Sequence, residues 1–325
     1  MRTEQLEPKP FSLVPIPTEV PKRSEAVTFE KFRGLTGQMD LEFEVVSEYL
    51  FVGSGGYEFD PNAKGDRPDV WHTFYRRNGQ ICIPGTSLKG SIRAIVEAIS
   101  NSCVSQTRRS EQVRSKDHQR CEFKSVDRSQ LCPSCRLFGT TGLRGRANFT
   151  DAMLVGNVSL VKVKIAELWE PRRAQNARRF YEVKAFQRLP NQQPERNCRF
   201  VEAVPKGTKF RTILCFENLD ESELGLIFHA LGWKADDESF TPKLGGAKPR
   251  CFGAVKFEPK RLRLWKMSDL TSLPKPEVKE GDALIGFVKR CMIACQNSDL
   301  LHKPSWETFV HNMKPKSDAC PRGNY

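Results

Sequence analysis

The succession of elements along the chain predicts an α+β fold on a split βαβ, ferredoxin-like plan. Three observations lead there. Leu41, Phe43 and Val45 alternate with polar neighbours in Met39–Val52, the two-residue period of a half-buried strand. Ile92, Ile95, Val96 and Ile99 fall at i, i+3, i+4 and i+7, the stripe of an amphipathic helix. A second round of strand (Lys209–Phe216), helix (Glu221–Leu231) and strand (Ala254–Phe257) then follows.

The elements can be justified in order. Residues 1–38 hold five prolines and little periodicity, and read as an extended N-terminal arm. Gly53-Ser-Gly-Gly56 ends the first strand, and residues 57–78 read as a polar loop with Asp60, Asp66, Asp69 and His72. A short strand, Gln80–Ile83, enters Ile83-Pro-Gly-Thr-Ser-Leu-Lys-Gly90 and the amphipathic helix, for which Ser87 suits the N-cap. Asn148–Val155 and Val158–Ile165 are expected to pair as strands across Gly156-Asn157. Asp220, with Glu223 three residues on, is a capping box. Residues 266–325 read as a C-terminal extension with one helix, Asp282–Cys295.

A formal charge of +13, from 52 Lys+Arg against 39 Asp+Glu, points to a polyanionic partner. No run of about 18 apolar residues offers a membrane span, and Met1–Lys22 lacks the apolar centre of a signal peptide. Eleven cysteines is an odd number, and most sit singly in apolar runs, as Cys82 and Cys215 do. Free buried thiols suit a reducing, cytoplasmic location.

Five groups of residues carry chemistry. At the Gly-rich helix start, free N–H groups, the helix dipole and the cations Lys89 and Arg93 meet, a combination that binds phosphate. The loop is neither a Walker A nor a GxGxxG. His118-x2-Cys121-x10-Cys132-x2-Cys135, with Cys103 as alternate ligand, has the paired spacing of a structural Zn2+ site with a closed coordination sphere. In the acidic loop, Asp66 or Asp69 suits a divalent metal beside a phosphodiester, or activation of a 2′-hydroxyl; a solvated turn is the alternative. Leu244-Gly-Gly-Ala-Lys-Pro-Arg-Cys-Phe-Gly253 offers close backbone approach at Gly245 and Gly246 and cations at Lys248 and Arg250. Cations interleaved with aromatics, from Arg172-Arg173 through Arg178, Arg179, Phe180 and Tyr181 to Lys184, suit a single nucleic-acid strand.

Ile83-Pro-Gly-Thr-Ser-Leu-Lys-Gly90, Cys135-Arg-Leu-Phe-Gly139 and Leu244–Gly253 occur in that order. Together with Arg146-Ala-Asn-Phe-Thr-Asp151 and Phe216–Gly225, they resemble the RAMP superfamily of CRISPR systems, and more narrowly the backbone subunits of type III effector complexes. The resemblance covers residues 39–265. It implies an RRM-like palm, a zinc-bearing insertion (101–136) and a thumb β-hairpin (160–205). It also implies a CRISPR RNA held at Ser87, Lys89 and Arg93, with Gly245, Gly246, Lys248 and Arg250 flanking the same groove and Arg178, Arg179, Phe180 and Tyr181 in the thumb region. The implied partners are complementary target RNA, other RAMP subunits and the large subunit of such a complex.

Cleaving members of that family cut target RNA with a divalent metal such as Mg2+ and an Asp preceding the Ile-Pro-Gly motif. Asp69 falls at that place, with Asp66 the alternate. Val70-Trp-His-Thr-Phe-Tyr75 departs from the family pattern there. Two alternatives therefore stand: a non-cleaving, structural guide-binding subunit, and a metal-independent endoribonuclease processing precursor RNA through His72 or His229. His229 reads as a core residue, on a helix face beside Phe228 and Leu231.

Overall fold

The computed structural model describes residues 10–105, 116–168, 176–233, 240–265 and 275–322. Arg172 and Arg173 lie outside the described residues, as do parts of the arm, of the cysteine-bearing insertion and of the C-terminal extension. Among the described residues five helices, α1 (Gly85–Ile99), α2 (Pro133–Phe138), α3 (Glu221–Ala230), α4 (Gly281–Gln296) and α5 (Lys303–Met313), accompany several sheets, so the fold is α+β.

An eight-stranded antiparallel sheet carries the core. Its lateral order is Glu277–Lys279, Val255–Trp265, Leu35–Val45, Lys209–Leu219, Ala152–Val155, Gln80–Ile83 and Arg76–Arg77, with Ala147–Phe149 also paired to Lys209–Leu219. Alternation fixes the faces. Met39, Leu41, Phe43 and Val45 turn inward, and Phe43 meets Phe210 and Phe257 directly across both neighbouring strands, with ring centroids 5.5 and 4.9 Å apart. On the outer face Asp40 takes both guanidinium arms of Arg263 (3.1 and 2.7 Å), and Glu42 takes Arg211 (2.9 Å).

The helices cover the inner face. Leu88, Ile92, Ile95, Val96 and Ile99 of α1 are buried as their spacing predicts. The capping box of α3 forms: Asp220 accepts from the Glu223 N–H at 2.8 Å, and the Glu223 carboxylate accepts from the Asp220 N–H at 3.2 Å. The C-terminal region contains two helices where one was expected, and both pack into the main core instead of lying apart. Gly225 lets α3 and α4 approach so closely that a Cβ there would stand 2.0 Å from the Cys291 carbonyl. His302 N–H bonds the last residue of α1 through the Ile99 carbonyl at 2.8 Å.

A second sheet, ordered Val161–Ala166, Cys198–Pro205, Val70–Phe74 and Gly53–Phe59, stands beside the first, with Tyr49–Leu50 also paired to Cys198–Pro205. Two expectations are corrected here. Gly53-Ser-Gly-Gly56 begins a strand instead of ending one, and the polar loop narrows to the connection between Phe59 and Val70. Gly156 makes its turn at φ +75°, but the flanking strands part into different sheets, so no hairpin forms across Gly156-Asn157.

Within the arm, Phe11–Pro15 pairs antiparallel with Ala177–Tyr181, and Ser24–Glu25 with Gln130–Leu131. Free thiols do not account for every cysteine. Cys251 and Cys320 form a disulfide, joining the Gly-rich loop to the C-terminal tail.

Candidate nucleic-acid interface and metal centre

The helix start differs from its sequence reading in one instructive way. Helix α1 begins at Gly85, so Ser87 sits inside the first turn and does not cap it. The cap comes from far along the chain: Gly85 N–H donates to Asp151 Oδ1 at 2.9 Å, and Arg77 holds the other oxygen at 2.6 Å. The N–H bond and then the guanidinium keep this carboxyl below the usual carboxylate range. Gly85 is required because a Cβ there would meet the Phe149 carbonyl at 2.1 Å. An internal anion thus occupies the position where phosphate was expected.

Lys89 and Arg93 are likewise engaged. Lys89 donates to Asn148 Oδ1 at 2.8 Å, and burial, then Arg93, lower its pKa. Arg93 turns inward: Nε pairs with Glu97 at 2.9 Å, Nη1 reaches the Gly139 carbonyl at 2.9 Å, and Nη2 lies 3.4 Å from Cys135 Sγ.

Just beyond that start, a cleft of about 510 Å³ opens between three segments that are distant in sequence. Ser87, Gly90 and Ser91 come from α1; Arg179, Phe180 and Tyr181 from the strand paired with the arm; Lys243, Gly245, Gly246 and Lys248 from the Gly-rich loop. Three of the sequence groups therefore line one cavity. Burial drives the Lys248 amine down to about 8, and burial with Lys248 nearby drives Lys243 down to about 7. Lys243 donates to the carbonyls of Glu182 (2.8 Å) and Lys248 (3.3 Å), which shapes the loop from behind.

Other members of these groups serve the scaffold. Gly245, at φ +74°, packs against residue 51, where a Cβ would come within 2.2 Å of the Phe51 carbonyl. The Gly246 N–H donates to that same carbonyl at 2.8 Å. Arg250 is buried and donates to the Ala166 and Glu167 carbonyls at 3.3 and 3.0 Å, so it braces the second sheet and does not face the cleft. Arg178 is buried as well, with Nη2 on the Ser102 carbonyl at 2.6 Å. Arg179 stacks on Phe11, its guanidinium carbon 4.4 Å from the ring centre.

Asp69 and Asp66 are exposed in the loop joining Gly53–Phe59 to Val70–Phe74, and neither is among the cleft-lining residues. Asp69 Oδ1 accepts from the Val70 N–H at 2.8 Å. His72 lies against Tyr57 with ring centres 4.4 Å apart, its pKa lowered by burial and then by Arg199. His229 is a core residue packed on Trp306, with burial lowering its pKa to about 4. The acidic loop and the two histidines are thus separate from the cleft.

The metal group resolves differently from its first-choice reading. Cys103, Cys121, Cys132 and Cys135 gather with all sulfurs within 4.8 Å of one another, and all four are buried. His118 is not part of the cluster. Its Nε2 is engaged with Asn101 Oδ1 at 2.9 Å, and Cys103 takes the fourth place. Sulfurs about 2.3 Å from a tetrahedral zinc stand roughly 3.8 Å apart, and this donor set matches that demand. The Cys132 N–H pointing at Cys121 Sγ (3.4 Å) is the polarity that a thiolate needs.

The motif pieces around Arg146 also meet. Arg146, 1 % exposed, forms a two-armed ion pair with Glu223 and donates to the Asn218 carbonyl at 2.6 Å, fastening the second strand of the plan to the start of α3.

Fold, cleft and cysteine cluster together define an α+β protein with a basic groove and a capacity for metal. A family model of the RAMP superfamily matches residues 42–256, and the chain belongs to that superfamily. A search of the curated proteins finds no significant match. Among the described residues, no helix is long and apolar enough to cross a membrane.

Proposed function

We propose that this chain is a CRISPR RNA-binding backbone subunit of a type III effector complex, with the guide strand lying in the cleft between α1 and the Gly-rich loop. The convergence of Ser87 and Gly90, Arg179–Tyr181 and Lys248 on one cavity carries this reading. Lys248 would neutralise phosphate, and Phe180 and Tyr181 offer faces on which bases stack. The lateral order fourth, first, third, second of the strands Leu35–Val45, Ala147–Val155, Lys209–Leu219 and Val255–Trp265 supports an RRM-like palm over residues 39–265. The pair Val161–Ala166 and Cys198–Pro205 supports a thumb within 160–205. The buried thiols of 101–136, with Cys103, support structural zinc. Complementary RNA, other RAMP subunits and a large subunit are the partners this role requires, in the cytoplasm, with the arm (1–38) and the extension (266–325) available to them.

The sheet face is the weaker candidate for RNA, because its cations Arg211 and Arg263 are already paired with Glu42 and Asp40. Phosphate binds the ammonium form of Lys248, so affinity present at pH 7 should fall as pH rises through about 8. Lys248→Met should remove that step. It should also flatten the slope of log affinity against log salt by about 0.7, the loss of one single-strand phosphate contact. An unchanged slope would take Lys248 out of the interface.

Cleavage of target RNA is the second part of the proposal, favoured by the exposed Asp69 carboxylate, with Asp66 in the same loop. Mg2+ or another divalent ion held there would add charge beside a scissile phosphate; the Val70 N–H fixes the carboxylate's direction. In the assembled particle with complementary RNA and magnesium, Asp69→Ala should abolish cutting while RNA binding persists. An unchanged cut pattern would leave the structural, non-cleaving subunit. Precursor processing finds less support, since His229 is buried in the core against Trp306 and His72 packs on Tyr57.

A further inference from the structure

Arg178 is only 8 % exposed, and among the described residues its Nε and Nη1 have no hydrogen-bond partner. A guanidinium buried in this way is costly unless charge lies close by. Its Nη2 donates to the Ser102 carbonyl at 2.6 Å, which places it at the residue preceding Cys103. The Ser102 hydroxyl in turn accepts from the Ser134 N–H at 3.1 Å, and Ser134 lies between Cys132 and Cys135. Arg178 is therefore docked on the segments that carry three of the four sulfurs. Arg93 approaches one of the same three, with Nη2 3.4 Å from Cys135 Sγ and Nε on Glu97.

The charges do not balance as they stand. Glu97 is paired with Arg93 at 2.9 Å, and among the described residues no carboxylate forms an ion pair with Arg178, so its positive charge is left without a partner beside four buried sulfurs. Four thiolates around a divalent ion carry a net charge of −2, which meets that positive charge. We propose that Arg178 is the charge partner of a metal–thiolate centre at Cys103, Cys121, Cys132 and Cys135, and that metal occupancy thereby holds the cleft strand Ala177–Tyr181 in place. The next three residues, Arg179, Phe180 and Tyr181, line the cleft, so the metal centre and the nucleic-acid groove share one strand. The proposal rests on reading the cysteine cluster as a zinc centre.

Arg178→Met in the full chain tests it, with Arg179→Ala as a comparison that leaves the cluster alone. Release of zinc to a chromophoric chelator should be about 10–100-fold faster from Arg178→Met, the usual cost of removing a partner of the ligands. Arg179→Ala should release at the wild-type rate. Melting should reverse in order: zinc-loaded Arg178→Met below wild type, and chelator-stripped Arg178→Met at or above it, because the uncompensated cation is gone. Amide exchange over 177–181 should quicken in wild type when zinc is stripped. Wild-type release kinetics in Arg178→Met, or a lower melting point in both forms, would overturn the charge role, and unchanged protection of 177–181 would overturn the coupling. Wild-type protein purified without metal would instead defeat the zinc reading itself.

Discussion

Cys103→Ser should abolish zinc binding and unfold the insertion around it, whereas His118→Ala should still bind one zinc per chain. The contrast follows from geometry, since Cys103 stands among the sulfurs and His118 lies outside the cluster with its Nε2 on Asn101. Few apolar residues surround the cluster: Ala26 and Leu131 are buried beside it, with Phe123 and Leu143 partly so. That is too little burial to hold the segment alone. A structural zinc contributes about 10–16 kcal/mol, comparable with the whole stability of a domain, about 5–15 kcal/mol. Metal analysis and limited proteolysis of the two variants would decide; a metal-free His118→Ala beside a metal-bearing Cys103→Ser would refute the assignment.

The second large effect lies in the core. Glu223→Ala removes the partner of Arg146, weakens the link to Arg136 (3.5 Å), and deletes one arm of the α3 capping box. Breaking a buried pair from one side costs about 3–5 kcal/mol, because the remaining charge is stranded. Arg146→Met combined with Glu223→Leu should recover much of that loss. Urea unfolding of the single and double variants measures the difference, and a Glu223→Ala midpoint within error of wild type would show that Arg146 finds other compensation.

What could be read from the residues was what depends on near neighbours. The stripe of α1 and the Asp220–Glu223 box act over three or four positions, and both stand as expected. The cap of α1 lies 66 residues from the group it satisfies, and the local reading settled on Ser87 instead. Cys103 ranked behind His118 for the same reason: spacing within a knuckle is visible in sequence, while the return of a distant cysteine is not. The disulfide, spanning 69 residues, left no signal. Gly53–Phe59 is fully exposed along its length, so it lacks the apolar alternation by which strands are recognised. Turn chemistry at Gly156-Asn157 was read correctly as a turn, but a turn does not dictate which strands its arms join.

Each cleft-lining group was visible separately, and only the fold brings them together. Arg250 and Arg178 show the limit of counting cations: their guanidinium groups bond carbonyls inside the molecule. Lys243 and Lys248 both line the cavity with depressed amines, and Lys243 is bonded to the Glu182 and Lys248 carbonyls.

Because Asp151 already takes the Gly85 N–H at the start of α1, the chain supplies its own anion there and needs no bound polyanion to complete that turn. In the role proposed above, such a chain would be made empty, threaded with a strand afterwards, and loaded again without rebuilding its framework.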